Sequence, residues 1–234
     1  ARDQSVSIWQ GSTLDGAGSE TWAQVSALKD QGWGVMDVAF APSQFGLRVA
    51  TACGDGVVRV HEAVEQDLHK WEVAEQFEAQ PQDPQQVTSL SWNPNELDPV
   101  PSLVVGCADG AVSLWSCIDQ QWVLSCELKR HEGEVRSVTW RNSLGSGLHF
   151  VASGSAQGVI FISHLKPKGL GFEVVKDQKL IHEESKHIQW SITGTTLMSF
   201  GAAGVVKLWK RGLLVDNWES IGARVPICGA AQMG

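Results

Sequence analysis

The sequence has no tyrosine and no long apolar run, and its 18 lysines and arginines are outnumbered by 26 acidic residues. Without an apolar run of about 18 residues, no membrane insertion is expected. The first residues, Ala1-Arg2-Asp3-Gln4, also lack the apolar core of a secretion signal. A net charge of −8 with scattered basic residues argues against direct nucleic-acid binding. We therefore expect one soluble globular domain on the cytosolic or nuclear side.

Catalytic and metal-binding motifs are also missing. The five cysteines form no C-x-x-C pair, and no histidine lies at zinc-ligand spacing from them. We interpret them as reduced structural thiols; the alternative, a reactive cysteine, needs a pKa lowered by a nearby cation or helix N-terminus. No G-x-S-x-G elbow, P-loop or H-E-x-x-H motif is present. We therefore predict no enzyme activity, catalytic residue, metal, cofactor or small-molecule substrate.

An internal repeat is the strongest positive signal in the sequence. Five segments align without gaps as a turn followed by an alternating apolar and polar strand, and they start 46 to 54 residues apart. This period is slightly longer than that of ordinary WD repeats and suits one propeller blade with long loops. The segments are Asp3–Trp9, Asp55–His61, Asp109–Trp115, Gln157–Ser163 and Ala203–Trp209.

Two further strands precede four of these turns, and a weaker outer strand follows three of them. The pattern predicts an all-β WD-repeat β-propeller with about four complete blades, at residues 33–77, 78–128, 129–180 and 181–218 within a propeller region of 11–222. Residues 1–10 are predicted to be the terminal strand of an incomplete blade, and 223–234 a C-terminal tail. Because a chain that begins within a blade leaves a sheet edge unpaired, we expect it to be N-terminally incomplete.

Several segments resemble the Sec-thirteen/SEH-one family of WD-repeat proteins. The run from Met36 to Ala63 is similar to the third blade of an SEH-one nucleoporin, and the later matches follow in order along nearly the whole chain. The C-terminal Val-Lys-Leu-Trp-Lys, followed by Trp218, is the most specific of them. The later matching runs are Ser91-Trp-Asn-Pro94, Gly158–Pro167, Trp190–Leu197, Gly204–Lys210 and Asp216–Trp218.

The resemblance implies an open six-bladed propeller with a gap that a partner fills. The implied partner is an α-solenoid nucleoporin of the eighty-five type, in the Y-shaped complex of the nuclear pore outer ring. A non-enzymatic scaffold at the nuclear envelope follows, with a role in nucleocytoplasmic transport and mRNA export. A nutrient-signalling (TOR) complex at the lysosomal or vacuolar membrane is a further expectation. The alternative is a Sec-thirteen-like subunit of the COPII vesicle coat in transport from the endoplasmic reticulum to the Golgi.

The last blade borders that gap if the inferred blade order holds, so its residues are the predicted partner-binding site. A partner strand added at this edge would gain main-chain hydrogen bonds and side-chain pockets. We predict that polar substitution of Val206 or Leu208 weakens partner binding. The predicted partner-binding residues are Val205, Val206, Leu208, Trp209 and Trp218.

Tryptophans and one histidine have competing interpretations. Six tryptophans lie at repeat positions, where packing between blades explains them: Trp9, Trp92, Trp115, Trp140, Trp190 and Trp209. Four lie off the main register and are candidates for partner contacts: Trp33, Trp71, Trp122 and Trp218. His131 is expected to anchor strands structurally and not to act as a catalytic base, since no nucleophile lies at a suitable spacing.

Overall fold

The computed structural model describes residues 5–13, 20–29, 34–65, 67–143, 147–183, 185–201, 204–212 and 217–221. Within these ranges the regular structure consists of 18 β-strands and one short 3-10 turn at Ser43–Phe45. None of the described residues forms a helix long and apolar enough to span a membrane. The predicted all-β class is therefore confirmed.

Sixteen of the strands form four antiparallel sheets of four strands each, joined in sequence order. We call these sheets the first, second, third and last blade. The first blade contains β3 (Val35–Phe40), β4 (Arg48–Cys53), β5 (Val57–Val64) and β6 (Asp67–Glu78). The second contains β7 (Val87–Trp92), β8 (Ser102–Cys107), β9 (Val112–Ile118) and β10 (Gln121–Glu127). The third contains β11 (Val135–Trp140), β12 (His149–Ser155), β13 (Val159–Lys168) and β14 (Gly171–Ile181), and the last β15 (Ser185–Trp190), β16 (Thr196–Gly201), β17 (Val206–Arg211) and β18 (Trp218–Ser220).

The innermost strands, β3, β7, β11 and β15, contact one another from blade to blade. This arrangement of radial four-stranded sheets is that of a β-propeller, and it confirms the predicted WD-repeat fold. The outer strands β6, β10 and β14 lie where the sequence suggested weak fourth strands.

The start of the chain differs from the expectation. The predicted strand is present as β1 (Ser5–Thr13), but it pairs with a strand that the sequence analysis did not assign, β2 (Glu20–Lys29). Because β1 aligns with the third strand of each blade, β1 and β2 correspond to a third and an outer strand. Outer strands carry little repeat signature, which explains why β2 was missed.

The repeat turns owe their shape to a glycine and an aspartate. Gly56 and Gly110 have φ of 84° and 88°, a left-handed conformation that a residue with a Cβ adopts only at a cost. Asp55 accepts a hydrogen bond from the N–H of Val57 at 3.0 Å, and Asp109 accepts one from Ala111 at 3.1 Å. These aspartates therefore stabilise the turns.

Three apolar clusters hold the blades together, and each lies between two neighbouring sheets. In each cluster, residues of one blade's middle strands pack against the inner-strand residues of the next blade. The inner strand contributes an aliphatic residue and a tryptophan two positions later, as in Leu90 and Trp92. The indole of Trp92 also donates a hydrogen bond to the carbonyl oxygen of Ala39 in the preceding blade, at 3.0 Å.

Five of the six repeat-register tryptophans are buried in these clusters, as predicted. Trp9 is the exception, because its side chain is 54% exposed. Trp115 and Trp209, at the equivalent position, pack against the blade that precedes theirs. No sheet among the described residues lies on that side of β1, so the prediction that Trp9 packs between blades is wrong for the described structure.

Candidate partner-binding face of the last blade

The last blade has one face packed on the third blade and one face that no other described sheet covers. Side chains alternate along its strands, so Leu197 and Trp209 enter the shared apolar cluster. Their neighbours in the sequence point the other way. Cross-strand pairing arranges these neighbours in two rows, His187–Phe200–Val206 and Gln189–Met198–Leu208. We call these six residues the free face.

The same two rows exist in every blade, and in the other three they face the next blade. In each of these blades, the second-strand residues of the two rows pair with third-strand residues in the same register. The pairs are Ala52–Val58 and Ala50–Val60 in the first blade, Gly106–Val112 and Val104–Leu114 in the second, and Gly154–Ile160 and Ala152–Ile162 in the third. In these three blades, the third-strand residues are at most 2% exposed. Leu208, at the corresponding position in the last blade, is 36% exposed. The free face is therefore the counterpart of an interface between blades, without a described blade on it.

Hydrogen bonds between inner strands accompany each apolar interface. One side chain per inner strand accepts a hydrogen bond from a backbone N–H of the next inner strand. Asp37 accepts from Leu90 at 2.9 Å, Ser89 from Val138 at 3.1 Å, and Ser137 from Ile188 at 3.3 Å. His187 occupies the same register position in the last blade, since it pairs with Phe200 as Ser137 pairs with Gly154. A second acceptor, Ser91, takes the N–H of Trp140 at 3.1 Å, and Gln189 is its counterpart.

The structure divides the predicted partner-binding residues into two groups. Val205 and Val206 are half-buried and Leu208 is exposed, so a partner can reach all three. Trp209 and Trp218 are only 6% and 4% exposed and belong to the cluster shared with the third blade. Trp218 packs edge-on against Trp190, with ring centroids 5.2 Å apart. These two tryptophans stabilise the blade that carries the site.

The other off-register tryptophans are also placed by neighbouring blades. The ring of Trp122 stacks on Phe77 of the first blade at 5.0 Å, and its indole donates to the Glu75 carboxylate at 2.7 Å. Trp71 is half-buried on the outer strand of the first blade. Trp33 lies outside the described residues. Trp122 therefore joins two blades of this chain.

Sequence reasoning missed four members of the free face: His187, Gln189, Met198 and Phe200. The signal was present, because the second strand of a blade carries Ala, Val or Gly at the positions where the last blade carries Met198 and Phe200. To recognise that Met198 and Phe200 differ from the equivalent residues of the other blades, the register between the strands must be known. The alignment of the repeat turns alone does not supply it.

His131, Cys107 and Cys126 are buried or largely buried within the fold. His131 is buried, its Nε2 lies 2.8 Å from the hydroxyl of Ser153, and burial lowers its pKa to about 4. Its expected role as a structural anchor agrees with this geometry. Burial raises the pKa of Cys107 and Cys126 to about 11, opposite to what a reactive thiol needs. Among the described residues no His, Cys, Asp or Glu cluster is arranged to hold a metal.

This architecture defines the class of the protein. Four radial antiparallel sheets with a positive-φ glycine in each repeat turn and tryptophan in each interface form an open WD-repeat β-propeller. A family model agrees, since the WD40 domain of anaphase-promoting complex subunit 4 matches residues 49–143.

Among curated proteins, the chain is similar to nucleoporins of the SEH1 type. The chain is 27% identical to nucleoporin SEH1-A of Xenopus laevis, over 94% of this chain and 66% of that protein. It is 26% identical to human nucleoporin SEH1, over 99% and 71% of the two chains. The fission yeast protein, nucleoporin seh1 of Schizosaccharomyces pombe, is 27% identical over 82% and 65%. The resemblance to the SEH-one nucleoporins is therefore confirmed, and the chain spans about two thirds of the length of these relatives.

Proposed function

We propose that this protein is a non-enzymatic scaffold subunit of the nuclear pore complex, in the outer-ring Y-shaped complex at the nuclear envelope. Its free face receives a strand-bearing segment of an α-solenoid nucleoporin of the eighty-five type. The names of its relatives support a nucleoporin role. A role in nucleocytoplasmic transport and mRNA export follows from such a position, and membership of a nutrient-signalling complex at the lysosome or vacuole belongs to the same proposal.

One observation carries the binding part of this proposal: four of the six residues of the free face are apolar, at positions where the other blades have an interface. Met198, Phe200 and Val206 are half-buried, and Leu208 is exposed beside them. Contiguous apolar surface on a folded domain is characteristic of a binding site. A partner segment that packs on this face removes this apolar surface from water, as the next blade does at each internal interface.

The test is binding of the full-length α-solenoid nucleoporin to purified variants of this chain. We expect Leu208→Lys to weaken the complex by about a hundredfold, because a buried ammonium group without a partner costs several kcal/mol. Ile192→Lys is the matched control: Ile192 lies in the turn between β15 and β16, it is 93% exposed, and it is not part of the free face. Circular dichroism would verify that both variants fold.

Three outcomes are informative. Loss of binding in the Leu208 variant with normal binding in the Ile192 variant supports the proposal. Equal binding of both variants contradicts the assignment of the free face. Failure of the wild-type chain to bind the solenoid nucleoporin, together with stable binding to a COPII coat subunit, would place the protein with the Sec-thirteen-like coat proteins.

A further inference from the structure

The free face differs from the three internal interfaces at four of its six positions, where its side chains are longer. The inner-strand acceptor is Ser89 or Ser137 in the middle blades and His187 in the last blade. The residue paired with that acceptor is Gly106 or Gly154 in the middle blades and Phe200 in the last. In the other row, Gln189 and Met198 stand where the third blade has Thr139 and Ala152.

The interface between the second and third blades leaves no room at this position, whereas a Cβ on the equivalent Gly154 would lie 3.4 Å from Ile188, an ordinary contact. A Cβ placed on Gly106 would lie 2.6 Å from a methyl carbon of Val135 and 3.0 Å from one of Val138. These two valines belong to the inner strand of the next blade. A side chain at this position therefore cannot be accommodated at the spacing of the second and third blades unless the neighbouring strand moves away.

The first interface has side chains of intermediate length at these positions. There the acceptor is Asp37, whose carboxylate extends farther than a serine hydroxyl, and its cross-strand neighbour is Ala52 in place of glycine. The side chain of the acceptor and that of its cross-strand neighbour are thus longer together, from Ser with Gly, through Asp with Ala, to His with Phe. A longer acceptor maintains the hydrogen bond to the next strand when a larger apolar residue holds that strand farther away.

From this we infer that the free face holds its partner's strand at a wider spacing than the blades of this chain hold one another. The inference rests on the proposed function and specifies the partner's geometry. The occupant is a β-strand of another protein, with aliphatic side chains over Phe200 and Met198 and a backbone N–H that donates to His187. A strand docked at the internal spacing, such as that of a second copy of this chain, would collide with Phe200.

To accept a hydrogen bond from a partner strand, His187 needs a ring nitrogen that faces the partner and carries a lone pair. Ser137 donates its hydroxyl proton to the carbonyl oxygen of Ile188 at 3.3 Å and accepts the Ile188 N–H. The Nδ1 of His187 lies 3.3 Å from the same hydroxyl and donates to it in the tautomer that is protonated at Nδ1. The Nε2 then carries the lone pair that a partner N–H requires.

The discriminating experiment shortens the acceptor. The affinity of the full-length α-solenoid nucleoporin is measured for the wild-type chain and for His187→Ala, His187→Ser and His187→Gln, a surface series that leaves the core unchanged. We expect the Ala and Ser variants to lose affinity equally, by about tenfold, because a serine hydroxyl does not reach a strand at the wider spacing. The Gln variant retains a long acceptor and is expected to bind within about twofold of wild type.

The outcomes separate the inference from the function on which it rests. If His187→Ser binds as wild type while His187→Ala is weakened, the spacing equals that of the internal interfaces and the inference is wrong. If His187→Ala also binds as wild type, no strand bonds to His187 and the inference is again wrong. In both cases the proposed function still stands if Leu208→Lys abolishes binding, and it fails if Leu208→Lys has no effect.

A second variant tests the apolar half of the inference. Phe200→Ala introduces the residue that the first blade carries at this position, Ala52. At the wider spacing it leaves a void against the partner strand, so we expect the affinity to fall by about a hundredfold. Equal or tighter binding of this variant would mean that the partner already lies at the internal spacing, and would overturn the inference.

Discussion

The buried hydroxyl of Ser199 offers a sharp test of how the last blade is held together. Its Oγ lies 2.7 Å from Nδ1 of His182 and accepts a hydrogen bond from the indole N–H of Trp209 at 2.8 Å. Ser199 is fully buried. Ser199→Ala removes one oxygen and leaves two buried ring nitrogens without their partner.

The third blade contains the matched control. Ser153 occupies the same strand position, and its hydroxyl contacts Nε2 of His131 at 2.8 Å. The residue equivalent to Trp209 in that blade is Ser163, so no indole is involved. Each buried polar group that loses its partner costs about 1–3 kcal/mol. We expect Ser199→Ala to lower the free energy of unfolding by about 2–5 kcal/mol and Ser153→Ala by about 1–3 kcal/mol.

Urea unfolding followed by circular dichroism measures both values, and the slope against urea verifies that the unfolded state is unchanged. A double-mutant cycle with Trp209→Phe isolates the indole contribution. In that background the cost of Ser199→Ala is expected to fall by about 1 kcal/mol or more. Equal costs for Ser199→Ala and Ser153→Ala, together with additive effects in the cycle, would refute the assigned hydrogen-bond network.

Two further predictions concern titration and the repeat turns. Because burial lowers the pKa of His131 from 6.5 to about 4, the unfolded chain binds a proton below pH 6.5 that the folded chain does not. The free energy of unfolding therefore keeps its full value above that pH and falls between about pH 6.5 and 4, by up to about 1.4 kcal/mol per pH unit. Urea unfolding at pH 7 and pH 5 should show a smaller loss of stability for His131→Gln than for the wild-type chain. Gly110→Ala should destabilise the chain more than Gly204→Ala. Both glycines have positive φ, but only at Gly110 would the added methyl group meet the backbone of His131. Equal thermal midpoints of the two variants would contradict this prediction.

The repeat made most of the fold readable from the sequence. The turn glycines and alternating strands recur because every blade has the same turn and strand geometry. The third strand of each blade could therefore be predicted from the sequence alignment of the repeats. Outer strands such as β2 have no such constraint on their side chains, and the sequence did not reveal it. Trp218 shows another limit: its position off the register made it a candidate for a partner contact, whereas the structure buries it against Trp190.

The candidate site was only partly predictable for a related reason. Val206 and Leu208 match the repeat, so their sequence alone does not distinguish them from Ile160 and Ile162, which are buried between blades. What distinguishes the last blade is where it departs from the repeat, at His187, Gln189, Met198 and Phe200. Each departure is unremarkable alone, but the cross-strand register brings all four onto one face. In this repeat protein, the residues that conform to the repeat build the interfaces between blades, and the four that depart from it lie together on the face that we propose binds a partner.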